Sequence, residues 1–284
     1  MKYLKFQTKD KLIYNAILLG NIKSKKAYIF IHGLSGGMFS RFDLNKKLAK
    51  KSRMLLSFNN RGQGVINKFR KEDTKSKKGY KSELLGSAFE KFSDCKYDIQ
   101  GAVDYLKSQG IKEIYLVGHS TGCQKSVYYL SKTNDKAVKG AVLLAPISDY
   151  SSTINSVDKN LYIQALKEAL KMKKDNKLNE LLPLNTWYAP ISAQRFLSLY
   201  TPESTEEIFT YGSKKAATLL KKVNKKLLVF LAEADEHNDR DSNDLKGWFE
   251  KNTKKTDKVF VIKEANHSFQ GQEKKVVDII HKYF

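Results

Sequence analysis

The chain has 284 residues, 41% of them hydrophobic, which is enough for one large domain with an insertion. Its formal net charge is +22 and comes almost entirely from lysines, which are scattered through every segment and concentrated at 167–177. Nucleic-acid-binding proteins favour arginine forks and interleaved aromatic residues along one face, so this pattern predicts a solvated lysine-rich surface and no nucleic-acid partner. Weak attraction to an anionic membrane surface or to an acidic substrate is the alternative that the charge leaves open.

Several signals for location and cofactors are missing from the sequence. No apolar run approaches the roughly 18 residues of a membrane-spanning helix, and the N-terminal MKYLKFQTKDKL lacks the apolar segment of a secretory signal. We therefore expect no membrane insertion and a cytoplasmic protein. The two cysteines, Cys95 and Cys123, do not make a disulfide framework, and the five histidines show no metal-ligand spacing, so we expect no metal site.

The first half of the chain alternates short apolar runs with amphipathic segments. Two strands joined by a polar turn open the sheet, and the run AYIFI is a third strand of the kind buried on both faces. A helix and a fourth strand follow, which makes a βαβ unit and implies a parallel sheet. A basic, polar stretch up to about residue 81 predicts a surface excursion. The predicted strands are 3–6, 12–18, 27–31, 54–58 and 114–117, and the predicted helices are 41–50, 94–109 and one from 121 to about 130.

The pattern changes after the sixth predicted strand, 138–145. Lysine-rich amphipathic helices, of which 160–174 is the clearest, then replace buried strands until 227–231 and 259–262 resume the sheet, and a helix at 273–283 follows. We therefore predict a first core part at 1–147, a helical cap at 148–222 and a second core part at 223–284. Aromatic residues of this cap, namely Trp187, Tyr188 and Phe196, are predicted to line a substrate pocket.

The strand at 114–117 leads into Gly118-His119-Ser120-Thr121-Gly122, a G-x-S-x-G sequence at a strand-to-helix junction. This is the context of a nucleophile elbow, where a sharp turn exposes the serine hydroxyl and side chains at the two glycines would collide with neighbouring backbone. The start of the next helix directs the Thr121 N–H towards a developing oxyanion. We predict Ser120 as a nucleophile and Thr121 as an oxyanion-hole donor.

A serine elbow requires an acid and a histidine later in the chain, in loops that follow strands. The strand KLLVFL leads into AEADE, which places Asp235 after the strand, with Glu233, Glu236 and Asp239 as rivals. The strand VFVI leads into KEANHSF, in which His267 can reach back over the elbow. In this scheme His267 takes the Ser120 proton and Asp235 fixes the tautomer of the imidazole.

The sequence His32-Gly33-Leu34 ends the third predicted strand, at the place where a second oxyanion N–H is needed. We assign that N–H to Leu34, because the neighbouring glycines allow close backbone approach. Two further residues, Glu90 and Arg61, lie in segments that could approach the mouth of the site. Structural ion pairing is the interpretation that we favour for both.

These motifs together resemble the α/β-hydrolase superfamily over essentially the whole chain. IFIHGL resembles the oxyanion strand, LVGHSTG the elbow, and LAEADE and EANHSF the acid and histidine loops; Ala232 departs from the glycine of many relatives. GHSTGCQ together with AFEKFSDCKYDI resembles a branch that includes fungal siderophore esterases. The resemblance implies an eight-stranded, mostly parallel sheet with helices on both faces, a cap inserted after strand six, no cofactor and usually ester hydrolysis.

The sequence hypothesis is a serine hydrolase that cleaves a small carboxylic ester or a thioester through an acyl-Ser120 intermediate. An acyltransferase, a peptidase and a C–C bond hydrolase use the same three residues and remain alternatives. A non-catalytic binding protein of the same fold is the alternative from another class. We expect a monomer or a homodimer.

Overall fold

The computed structural model describes residues 1–21, 23–50 and 53–284. In these residues ten strands form one mixed sheet. The strands are β1 (Lys2–Gln7), β2 (Leu12–Gly20), β3 (Lys26–Ile31), β4 (Arg53–Phe58), β5 (Asn67–Glu72), β6 (Tyr80–Leu85), β7 (Glu113–His119), β8 (Val138–Leu144), β9 (Lys226–Ala232) and β10 (Lys258–Ile262). They run in the order β10-β9-β8-β7-β3-β4-β2-β5-β6, with β1 paired to β2. Strands β3, β4 and β7 to β10 are parallel, and β1, β2, β5 and β6 form antiparallel pairs.

Helices cover both faces of this sheet, which gives two separate hydrophobic cores. The helices are α1 (Phe42–Leu48), α2 (Cys95–Ser108), α3 (Thr121–Lys132), α4 (Asp149–Ser156), α5 (Lys159–Lys174), α6 (Ala193–Tyr200), α7 (Thr218–Lys221), α8 (Ser242–Asn252) and α9 (Glu273–Tyr283). Successive strand residues point to opposite faces, so in β3 Ile29 packs with α2 and α3 while Tyr28 and Phe30 pack with α1 and α9. Because both faces of β3 are covered, its sequence is an unbroken apolar run.

The predicted α/β fold with a mostly parallel sheet is confirmed, but the predicted strand count of eight is two short. The missing strands are β5 and β6, an antiparallel hairpin within and beyond the stretch that was predicted to be a surface excursion. Only Phe69 and Leu85 of this hairpin are buried, and lysines occupy much of the rest. An edge hairpin that buries so few side chains leaves a weak apolar alternation in the sequence.

The segment between β8 and β9, residues 145–225, contains α4 to α7 and no strand of the sheet. We call it the inserted segment. Helices α5 and α6 pack around a third hydrophobic cluster that includes Ala165, Met172 and Phe196. The cap boundaries of 148 and 222 stay a prediction. Of the described helices, none combines the length and apolar composition that crossing a bilayer requires.

Buried charges join the inserted segment to α3 and to the loop after β6. Glu90, which follows β6, lies 2.5 Å from Lys125 of α3 and 3.3 Å from Arg195 of α6. Arg195 also pairs with Glu206, and all four side chains are almost fully buried. Burial would raise the pKa of Glu90, but the neighbouring Lys125 and Arg195 outweigh it and lower that pKa to about 2. The carboxylate therefore stays ionised and holds two cations from different elements.

Candidate active site

The turn between β7 and α3 carries Ser120 in a sparsely populated backbone conformation, with φ 55° and ψ −127°. Its N–H donates to the Leu144 carbonyl at 3.0 Å, and its carbonyl accepts from the Cys123 N–H at 2.8 Å. A Cβ on Gly118 would overlap the Gly122 carbonyl, and a Cβ on Gly122 would overlap the Ile31 carbonyl. The two glycines therefore let the strand, the turn and the helix pack this closely.

His267 lies in the loop between β10 and α9, and its imidazole faces a carboxylate. The two Asp235 oxygens are 2.8 and 3.0 Å from His267 Nδ1. An ionised carboxylate only accepts hydrogen bonds, so Nδ1 carries the proton and Nε2 is left as an acceptor. Glu236, the rival acid, instead accepts the His267 backbone N–H at 3.0 Å.

Two other histidines hold the His267 ring from its sides. The His119 and His237 rings lie with their centroids 4.9 and 4.6 Å from it, both edge-on. Burial, followed by the charges of His267 and Arg41, lowers the pKa of His119 to about 3, so His119 is neutral. Its Nε2–H donates to the His267 carbonyl at 2.9 Å. Backbone and ring of His267 are thus both fixed.

Ser120 and His267 line one cavity of about 540 Å³ at the carboxyl edge of the parallel strands. The Ser120 hydroxyl makes no hydrogen bond to any described residue, including His267. Such bonds often lengthen without substrate and tighten once it binds. The structure therefore brings the predicted serine, histidine and aspartate to one place, with the imidazole held by the carboxylate and the hydroxyl free to rotate.

His32 controls the orientation of the predicted oxyanion loop. Burial, and then the charge of Lys125, lowers the pKa of His32 to about 3. The Asn60 N–H donates to His32 Nε2 at 3.1 Å, so Nδ1 carries the proton and donates to the Gly33 carbonyl at 2.8 Å. That carbonyl shares a trans peptide with the Leu34 N–H, so this bond also fixes the direction of the N–H.

The two predicted oxyanion donors have different surroundings. Leu34 lines the cavity, whereas Thr121 is buried at the first position of α3. Among the described residues neither backbone N–H donates a hydrogen bond, so both are available to a ligand oxygen. A Cβ at Gly33 would come within 2.8 Å of Ser120 Cβ, which shows how closely this loop approaches the serine.

The structure does not bring the three predicted aromatic residues of the cap to the cavity. Phe196 is fully buried in the cluster of the inserted segment, Trp187 packs edge-on against it at 5.0 Å, and Tyr188 is 68% exposed. Trp187 and Phe196 pack in this small core because the inserted segment must bury apolar area of its own.

Beside the predicted Leu34, Ser120 and His267, the cavity is lined by residues that sequence reasoning missed. They come from the loop before α1, from α4, from the end of α6 and from the loops after β8, β9 and β10. One signal was available, because loops that follow the carboxyl ends of parallel strands meet at one edge of the sheet. The missed residues are Ser40, Arg41, Ile147, Asp149, Ser152, Thr153, Ser156, Tyr200, His237 and Ser268.

Glu90 and Arg61 both lie away from the cavity. Each forms buried ion pairs, which is the role that the sequence analysis favoured for it. Arg61 pairs with Asp98 at 2.5 Å, with Asp10 at 3.0 Å and with Asp94 at 3.3 Å. In the part of the chain that the structure describes, no group of three or more His, Cys, Asp or Glu side chains is placed to hold a metal ion.

Comparison with known proteins supplies a family and a fold. The family model described as a protein of unknown function, DUF1749, matches residues 86–283, a range that contains Ser120, Asp235 and His267. A comparison with curated proteins finds no match.

Solved structures of several esterases are similar to this chain over almost its whole length. The siderophore hydrolase EstB from Aspergillus fumigatus is 19% identical, with a TM-score of 0.70 over 100% of this chain and 96% of that one. Est1E from Butyrivibrio proteoclasticus, solved with ferulic acid bound, is 15% identical, with a TM-score of 0.64 over 98% and 96%. The carboxylesterase CesB from Bacillus subtilis is 15% identical, with a TM-score of 0.57 over 100% and 92%. These likenesses confirm the predicted α/β-hydrolase fold, and the first agrees with the predicted resemblance to siderophore esterases.

Proposed function

This chain belongs to the DUF1749 family of proteins of unknown function, and we propose that it is a serine hydrolase that cleaves a carboxylic ester or a thioester. The observation that carries the proposal is the pairing of His267 with Asp235 on the wall of the cavity that Ser120 also lines. The similar proteins support ester chemistry in particular, because they include a siderophore hydrolase and a carboxylesterase.

In the proposed reaction His267 Nε2 takes the proton of the Ser120 hydroxyl while Oγ attacks the ester carbonyl carbon. The tetrahedral oxyanion accepts hydrogen bonds from the Leu34 and Thr121 N–H groups. The imidazolium, stabilised by Asp235, then gives its proton to the leaving alkoxide or thiolate, and an acyl-Ser120 ester remains. Water attacks that ester with His267 again as the base, which releases the carboxylic acid and restores the serine.

The inserted segment contributes part of the cavity wall through α4, which supports its proposed role as a cap. An acyltransferase, a peptidase or a C–C hydrolase would use the same three residues. Among these activities, ester hydrolysis is the one that the names of the similar proteins support, since they include a carboxylesterase. We therefore retain ester hydrolysis as the proposed activity.

A fluorophosphonate probe tests this proposal, since it phosphonylates only a serine that a nearby base activates. We expect labelling of the native protein, loss of labelling in Ser120→Ala, and retention in Ser156→Ala, a serine of the same cavity outside the elbow. A panel of p-nitrophenyl esters from acetate to palmitate then measures turnover. Folded native protein that is neither labelled nor active on any ester would refute the proposed hydrolase activity and favour a non-catalytic binding protein.

A further inference from the structure

Arg41 is a cation on the wall of the cavity that the proposed mechanism does not use. It immediately precedes α1 and adopts a left-handed conformation with φ 54° and ψ 36°, which is uncommon for a residue with a side chain. The side chain is half-buried and lines the same cavity as Ser120 and His267. Its charge reaches the site, because it contributes to the lowered pKa of the buried His119, after burial itself and His267.

The guanidinium of Arg41 has no ion-pair partner among the described residues. Burial lowers the pKa of Arg41, and the carboxylates of Glu236 and Glu273 oppose this from a distance. Both of those carboxylates already accept backbone N–H groups, Glu236 from His267 and Glu273 from Gly271. By contrast Arg61, Arg195 and Arg240 form ion pairs with carboxylates, and the partly buried Arg53 donates to the carbonyl of His281.

The remaining cavity wall suits a small polar group better than a long acyl chain. The polar residues Ser40, Ser152, Thr153 and Ser156 line it, and Leu34, Ile147 and Tyr200 are its few apolar residues. Among the described residues none accepts a hydrogen bond from the Arg41 guanidinium. Its planar fork of five donors matches a carboxylate, which accepts two parallel hydrogen bonds.

Two acidic residues of the wall, Glu236 and Asp149, could oppose an anion. Burial would raise the pKa of Glu236, but the hydrogen bond from the His267 backbone N–H outweighs it and lowers that pKa, so this carboxylate is ionised and engaged with the histidine loop. Asp149 is the other acid. It accepts a hydrogen bond from Gln124 Nε2 at 2.8 Å. Burial, followed by the charge of Glu206, holds the pKa of Asp149 well above its usual range. The raised pKa favours the neutral form of Asp149, in which the residue does not repel an anionic substrate.

We propose that Arg41 binds a carboxylate of the substrate, so that the preferred substrates are small polar esters carrying a second, free carboxylate. This inference rests on the proposed function, since it assigns a substrate class to the same site. Arg41 is then a specificity-determining residue that holds the ester for attack by Ser120 and takes no part in proton transfer.

The test compares esters of equal acyl length that differ in charge. Mono-p-nitrophenyl adipate and p-nitrophenyl hexanoate are the first pair, with the monoesters of glutarate and suberate varying the reach of the carboxylate. The readout is the ratio of kcat/KM for the anionic ester to kcat/KM for its neutral partner. We expect native protein to favour the anionic ester, and Arg41→Gln to lower the ratio about 10- to 100-fold, mainly through KM.

Two further variants make the comparison specific. Arg41→Lys keeps the charge without the planar fork and should recover only part of the ratio. Arg70→Gln is the matched control, because Arg70 stacks on Tyr80 in the β5–β6 hairpin and does not line the cavity. It should leave the ratio as in native protein. Thermal unfolding of each variant establishes that it is folded before the ratios are compared.

The outcomes separate the inference from the function beneath it. If both esters are hydrolysed and Arg41→Gln leaves the ratio of kcat/KM values unchanged, Arg41 does not bind a substrate carboxylate. The proposed serine hydrolase activity would not be affected by that result. Absence of turnover for every ester, together with absence of fluorophosphonate labelling, would overturn the proposed function and the inference with it. A native protein that prefers the neutral partner at every chain length would also reject a carboxylate substrate.

Discussion

Asp235 and Glu236 are neighbouring carboxylates that make different hydrogen bonds to the same histidine. Asp235 accepts from the imidazole at Nδ1, whereas Glu236 accepts from the backbone N–H of His267. In the proposed mechanism only the first bond selects the tautomer that leaves Nε2 free to take a proton. Glu236 holds the loop in place but has no contact with the imidazole nitrogens.

The pair allows a sharp comparison between two isosteric substitutions. We expect Asp235→Asn to lower kcat about 10³- to 10⁴-fold, because an amide donor at Nδ1 stabilises the wrong tautomer. Glu236→Gln keeps an oxygen acceptor for the backbone N–H and should lower kcat less than about tenfold. Steady-state ester hydrolysis measures both. Equal losses in the two variants would argue against Asp235 as the group that orients the imidazole.

At the scale of secondary-structure elements, the contact between β3, β7 and α3 decides the geometry of the elbow. The helix starts so close to the sheet that Gly122 lies against the carbonyl of Ile31 in β3. Glycine is required there by the closeness of backbone to backbone, since Gly122 has no left-handed φ.

We expect Gly122→Ala to destabilise the protein by about 3 kcal/mol or more, because the rigid backbone of β3 must shift to admit a methyl group. Gly247→Ala is the control, in the interior of α8, where an added Cβ meets no atom within 4 Å. That change should stabilise the helix by roughly 0.5–1 kcal/mol. Urea unfolding of both variants provides the measurement. A Gly122→Ala protein as stable as the native one would contradict the tight packing of the elbow.

The ion pairs of Glu90 connect three elements, the loop after β6, α3 and α6. Removing this carboxylate leaves the buried cations Lys125 and Arg195 without their shared partner. We expect Glu90→Ala to cost about 3–5 kcal/mol in the free energy of unfolding. The control is Glu113→Ala, which removes a half-exposed pair with Lys26 and should cost no more than about 1 kcal/mol. A similar small loss in both variants would mean that water reaches the buried cations.

At the scale of the whole molecule, stability depends on pH through buried acids of the inserted segment. Glu207 is buried and accepts a hydrogen bond from the Ser148 hydroxyl at 2.6 Å. Burial, aided by the charges of Glu206 and Asp239, raises the pKa of Glu207 to about 7. The folded protein thus binds this proton more tightly than the unfolded chain does. The contribution of Glu207 to stability is therefore fully present below about pH 4.5, and it is lost as the pH rises from about 4.5 to about 7.

We expect Glu207→Gln to be more stable than native protein at pH 8, by up to roughly 3 kcal/mol, and to show little difference at pH 5. The reason is that glutamine keeps an acceptor for Ser148 and has no charge to bury. Glu203→Gln, at an exposed position of the same loop, controls for the removal of a negative charge. Urea unfolding at the two pH values supplies the data. A Glu207→Gln protein that is less stable at pH 8 would show that its carboxylate is favourably solvated or paired.

Properties that depend on short stretches of chain could be predicted from the sequence alone. The apolar runs predicted eight strands and the parallel sheet, because a strand buried on both faces needs apolar residues at every position. The glycines around Ser120 and the order of serine, acid and histidine also predicted the loops that meet at the cavity. Backbone sterics and strand-to-loop order are local, so a single sequence records them.

Tertiary structure alone decided which side chains share the cavity. Asp235 and Glu236 are chemically alike and adjacent, so only the path of the loop determines which of them faces the imidazole. Trp187 and Phe196 resemble pocket residues in sequence, yet the inserted segment uses them to build its own core. Arg41 is one of six arginines in the chain, and its place beside Ser120 depends on a loop 79 positions away folding onto the same sheet edge. Contacts between distant segments are set by packing of the whole chain, which no local pattern encodes.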